Sequence, residues 1–185
     1  MLVASDKPDF WSLYIYIAIV TAAAFGLARI RMWRWLAITT IVFGTLWTLV
    51  AMGMPGLLAP HAFSAAAGFA LAATLVVSGF MFGPDAEPGK VEPISCVSLG
   101  AYLFTAMAVV IAYQHADTSL VIFALLIAAT VAIAWRTDAA AGVLPAAAIF
   151  VGLVFLSWAV RGNPEWLVVP GGAMPGIGAD ALEGS

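Results

Sequence analysis

The chain has 185 residues, of which 64% are hydrophobic and only 9% charged, with a formal net charge of −3. A soluble domain carries about 25% charged residues, and a mean hydropathy of +1.06 leaves too few polar groups to cover a water-facing surface. The composition therefore excludes a soluble fold and places the chain in a membrane, and the weak negative charge gives no basis for a nucleic-acid partner.

Six apolar runs approach the length of about 20 residues that crosses a bilayer. In chain order they are 11–28, 35–54, 62–82, 94–113, 120–135 (extendable over Thr118 and Ser119) and 139–160, and none contains an Asp, Glu, Lys or Arg. Lipid offers backbone groups no hydrogen-bond partner, so such runs must be helices. A barrel is excluded because strict apolar/polar alternation is absent. The expected fold is all-α: a polytopic transmembrane bundle of about six helices in three hairpins. Residues 1–165 form one transmembrane domain and 166–185 a flexible tail whose "GGAMPGIG" matches no phosphate- or dinucleotide-binding pattern. The stretch before the first run, "SDKPDF", carries two acids and one lysine. That is wrong for the positive end of a signal peptide, so the first run reads as a retained span.

The connectors carry helix punctuation. "MPGLLAPH" and "GPDAEPGKVEP" read as loops. In "QHADTS", Asp117, Thr118 and Ser119 stand where an N-cap of the fifth helix belongs. Asp138 stands at the expected cap of the sixth. Pro145 lies within the sixth run and must either kink that helix or mark its true start.

Positive residues in short loops stay on the cytoplasmic side. With six spans, Arg29, Arg31, Arg34, Lys90 and Arg136 fall on one side, and Lys7 and Arg161 on the other. The segment "ARIRMWR" is thus expected to be a cytoplasmic turn, with both termini outside. Its arginines act as topology markers and headgroup contacts. Trp11, Trp33, Trp35, Trp47, Trp135, Trp158 and Trp166 mostly sit near expected helix ends, as interfacial tryptophans do.

The first and third hairpins share a pattern: an alanine-rich helix ending in Arg29 or Arg136, then a return helix carrying Gly44 and Trp47 or Gly152 and Trp158. The unit "YIYIAIV…LARIRMWRWLA…GTLW" resembles that of a family of very large bacterial predicted membrane proteins, catalogued as a domain of unknown function and built from repeated helix hairpins with Arg/Trp-rich turns. The resemblance covers residues 10–160 and implies a multi-pass protein of the bacterial inner membrane. The chain is several times shorter than usual members, which points to a fragment or short relative. The family brings no catalytic or binding residue with it.

Chemistry has few candidates. Ionisable residues inside a membrane mark proton and ion paths, and the six runs hold none at their centres. His61, before the third run, and His115, after the fourth, are candidates for haem or metal binding. The competing reading is two unrelated interfacial histidines. Cys96 is alone, so it forms no internal disulfide and no CxxC site; it reads as a small filler in a helix. Arg161 and Glu165 are four apart, but Pro164 breaks a helix there. No GxSxG, HExxH or paired carboxylates occur, so no cofactor and no catalytic residue is expected. Small-residue pairs let helices approach closely in lipid; Gly79 with Gly83 and Ala148 with Gly152 are candidates, as are Ala22 with Gly26, Ser64 with Gly68, and Gly68 with Ala72. The expected role is a non-enzymatic membrane scaffold or assembly component. The expected partners are the lipid bilayer and other membrane proteins or further copies of the chain. The alternatives are a transporter or lipid-handling permease element and a haem- or metal-binding protein using His61 and His115.

Overall fold

In hydrocarbon a backbone must satisfy its own hydrogen bonds, and the apolar runs do so as helices. The structure is a computed structural model that describes residues 10–31, 33–54, 58–77 and 89–162. These comprise α1 (Phe10–Arg31), α2 (Arg34–Met52), α3 (Leu58–Val77), α4 (Pro93–Ala112), α5 (Asp117–Arg136), a 3-10 segment (Asp138–Val143) and α6 (Leu144–Gly162). Among the described residues, six spans are long and apolar enough to cross a membrane. Gly79, Gly83, Glu165 and the 166–185 tail lie outside the described residues.

α4 is the central helix: it touches α2, α3, α5, α6 and the 3-10 segment, whereas α1 packs on α2 and α3. One apolar core draws on every helix, from Phe25 and Ala28 of α1 to Ala147 and Val154 of α6. A smaller cluster of Phe10, Tyr14 and Ala51 closes the other end of the α1–α2 pair. The tightest seam joins α3 to α4. Ala65, Gly68 and Ala72 face it, and a Cβ added at Gly68 would stand 2.1 Å from Cε1 of Tyr102. A glycine is required there because the tyrosine ring occupies the place of a side chain. This is close packing by small residues, the main source of helix association where lipid is as apolar as the protein.

Buried hydroxyls are satisfied locally. Thr48, Ser98, Thr105 and Thr130 each donate to a carbonyl four residues back at 2.8–2.9 Å, which spares the bundle unpaired polar atoms. The charged and aromatic ends are segregated. Arg29, Arg31, Arg34, Lys90 and Arg136 gather at the end formed by the α1–α2 turn, the start of α4 and the close of α5. Trp33 and Trp35 stack at 5.8 Å at this end, and Trp135 is 89% exposed. Trp11 and Trp158 stand exposed at the opposite end. Two aromatic girdles are thus set a bilayer apart.

Several expectations about helix ends need correction. α3 begins at Leu58, not after His61, because Pro60 fits a first turn whose N–H groups lack partners anyway. The N-cap of α5 is Ala116, with no side-chain cap; Asp117 is already helical, and Ser119 Oγ donates to the Ala116 carbonyl at 2.7 Å. The reason is the preceding turn. Gln114 (φ 54) and His115 (φ 62) are both left-handed, and their N–H groups bond the carbonyls of Ile111 and Val110 at 3.3 and 2.8 Å. This is a Schellman closure of α4 made without glycine, and it delivers the chain directly into α5. Pro145 marks the true start of α6, which begins at Leu144; the six residues before it wind as a 3-10 segment. Asp138 does not cap α6. Its carboxylate accepts the Gly89 N–H at 3.1 Å, and Ala139 accepts from the Glu92 N–H at 3.0 Å, tying the segment to the entry of α4. Cys96 belongs to the same joint: its thiol donates to the Ala139 carbonyl at 3.3 Å.

Candidate functional site

The buried face of α1 recurs at Phe10, Tyr14, Thr21, Phe25 and Ala28, a helical stripe that turns one phenol and one hydroxyl inward. On α2 the stripe Ala37, Ile41, Thr48, Ala51 turns Thr48 the same way. α3 runs antiparallel to α2 and brings His61 and Ser64 alongside. The result is a polar cluster at the end of the bundle opposite the arginines. Nδ1 of His61 and the Tyr14 hydroxyl are 2.6 Å apart, and the Thr48 and Ser64 hydroxyls 3.0 Å apart. Rings close around the imidazole: Phe10 at 5.4 Å, Tyr14 edge-on at 5.5 Å and Tyr113 at 5.8 Å between centroids.

His61 is fully buried. A Tyr14 hydroxyl that donates to Nδ1 places the ring proton on Nε2. Nε2 has no hydrogen-bond partner among the described residues, and neither has Nε1 of Trp47 in the adjacent cluster. His115 stands elsewhere. It sits on the α4–α5 turn with Nε2 3.4 Å from the Ser157 hydroxyl of α6. Beside it, Arg161 donates to the Ile111 carbonyl at 3.3 Å, placing a cation at the C-terminus of α4 where the helix dipole favours one. The two imidazoles thus serve different joints, His61 the α1–α3 contact and His115 the α4–α6 contact. No group of three or more His, Cys, Asp or Glu side chains that could hold a metal occurs among the described residues.

The remaining candidates fall on the surface of the chain. Arg31 and Arg34 are exposed and Arg29 is half-buried at the α1–α2 turn. Ala148 and Gly152 lie on the exposed face of α6, and no side chain or other element among the described residues stands within 4 Å of a Cβ built at Gly152.

A family model described as "Predicted membrane protein (DUF2339)" matches residues 1–170. The chain belongs to this family. Comparison of this DUF2339 member with curated proteins gives no match, and comparison with solved structures gives none either. Family membership agrees with the six apolar spans and adds no assigned activity to the polar cluster.

The sequence singled out His61 but not its setting. Tyr14, Thr48, Ser64 and Tyr113 were missed as its neighbours, because nothing in a sequence says which helices pack together. One signal was available: Pro60 favours the first turn of a helix, which puts His61 inside α3 rather than before it.

Proposed function

We propose that this protein is a non-catalytic membrane scaffold or assembly component of a bacterial inner membrane, with the Arg29–Arg34 turn cytoplasmic and both termini outside. The observation that carries the reading is where the bundle keeps its open space. A concavity of about 500 Å³ is a groove between α1 and α2 walled by Tyr16, Val20 and Phe43, of which Tyr16 and Phe43 are more than 60% exposed. A further groove of about 410 Å³ lies between α1 and α3, along Ile15, Ile19 and Ala67. Between α1, α2, α3 and α4 the space is only about 20 Å³. Surfaces of this kind suit contact with lipid, other membrane proteins or further copies of the chain. The orientation rests on five cations on one side of the spans against Lys7 and Arg161 on the other, by the positive-inside rule.

The test is a native mass spectrum from mild detergent, paired with cross-linking of a Phe43→Cys variant in membranes. A multiple of 19.3 kDa or added protein mass, with a matching cross-link, is expected. A bare chain with no cross-link overturns the reading. Reporters fused after Gly89 and Asp117 are expected to read cytoplasmic and external respectively, and the reverse overturns the orientation.

A second reading, a lipid-handling permease element, draws on the same α1–α2 groove, whose apolar wall carries the hydroxyls of Thr39 and Thr40. A Gly44→Ala substitution adds a Cβ that meets no side chain or neighbouring element within 4 Å and places a methyl on the groove wall. Loss of uptake of a defined lipid with expression intact supports this reading; unchanged uptake counts against it.

A further inference from the structure

The 20 Å³ space at the four-helix junction is lined by hydroxyl-bearing residues from three helices, Tyr14 and Thr21 of α1, Ser64 of α3 and Tyr102 of α4, set among small and aliphatic ones. A site holds a water when it offers roughly 10–15 Å³ of probe-filled volume and two to four polar partners; this one meets both conditions. Tyr102 reaches it because Gly68 has no side chain in the path of its ring. The Tyr14 hydroxyl meets His61 and Thr48, and the Ser64 hydroxyl meets Thr48. A hydroxyl offers one donor and two acceptor positions, so each keeps capacity for another bond. No charged side chain lines the space, so a cation there would meet no compensating charge, whereas a neutral water needs only the hydroxyl groups.

We propose that one water molecule is bound at this junction, within the membrane-spanning part of the bundle, bridging the α1 and α3 hydroxyls to Tyr102. It completes a hydrogen-bonded seam that starts at His61, passes Tyr14, Thr48 and Ser64, and ends at Tyr102. The seam runs seven residues along α3, about 10 Å at the helical rise. Its polar groups make the α1–α3–α4 junction dependent on a solvent molecule as well as on side-chain packing.

Radiolytic hydroxyl footprinting of the intact protein in nanodiscs, read by mass spectrometry, tests this, because radicals born from a bound water oxidise the side chains that touch it. Phe25 and Phe69 are equally buried aromatic controls, 2% and 3% exposed against 5% for Tyr102, and neither lines the space. Tyr102 is expected to be oxidised several-fold faster than both controls. That excess is expected to fall in a Thr21→Val/Ser64→Ala variant, and to fall partway in the isosteric Thr21→Val variant if the double variant does not fold. Oxidation of Tyr102 at the control rate, or an excess that survives the substitutions unchanged, overturns the proposal.

Discussion

Replacing Gly68 with alanine puts the α3–α4 seam under direct test. The new methyl would stand 2.1, 2.5 and 2.7 Å from Cε1, Cδ1 and Cζ of Tyr102, all well inside the ordinary carbon–carbon separation of about 3.5–4.0 Å. The ring cannot step aside cheaply, since Tyr102 is 5% exposed and held between helices. Overpacking a buried site costs about 1–3 kcal/mol, and three ring atoms inside contact distance put this case at the upper end. Alanine returns up to about 1 kcal/mol over glycine in a helix interior. The net loss is therefore about 2 kcal/mol, or roughly 4–8 °C in Tm for a chain of this size. Thermal unfolding in a fixed detergent, followed by tryptophan emission, measures it. The decisive control is the Gly68→Ala/Tyr102→Leu pair: if the ring causes the loss, the two substitutions couple by about 1 kcal/mol or more. A Gly68→Ala variant as stable as the parent, or strictly additive effects, refutes the reasoning.

Two further outcomes follow from the same geometry. Gln114→Gly removes the cost of a left-handed backbone at a non-glycine residue, about 1–2 kcal/mol. Because glycine also loosens the unfolded chain, the Tm is expected to be unchanged or higher by a few degrees; a clear fall would mean the Gln114 side chain itself holds the turn. Tyr14→Phe keeps the ring against His61 and removes only the hydroxyl partnered at 2.6 Å. The expected loss is about 1–3 kcal/mol for a buried imidazole nitrogen left unpaired, and an unchanged Tm would remove the polar cluster from the account of how α1 is held.

The sequence by itself determined the environment and the count of spans. Runs such as 94–113 and 120–135 lack charge over a bilayer's width, and hydrocarbon permits them one conformation, so α4 and α5 fall within a few residues of where hydropathy puts them. It also determined the segregation of charge, because loops must alternate sides once the spans are counted. The tertiary structure alone decided which polar residues meet. Composition is nearly uniform from helix to helix, and alanine-rich surfaces offer many equivalent faces, so no local signal separates Gly68, which a tyrosine ring requires, from Gly152, which has no side chain or other element among the described residues near its Cβ position. Helix ends were equally illegible where tertiary bonds outrank local ones. Asp138 caps nothing of its own because the Gly89 N–H claims its carboxylate, and α5 does without a side-chain cap because the left-handed pair Gln114–His115 already closes the turn. His61 shows both halves: its presence beside a span was plain in the sequence, while its burial against Tyr14, forty-seven residues away, exists only once α1 and α3 pack.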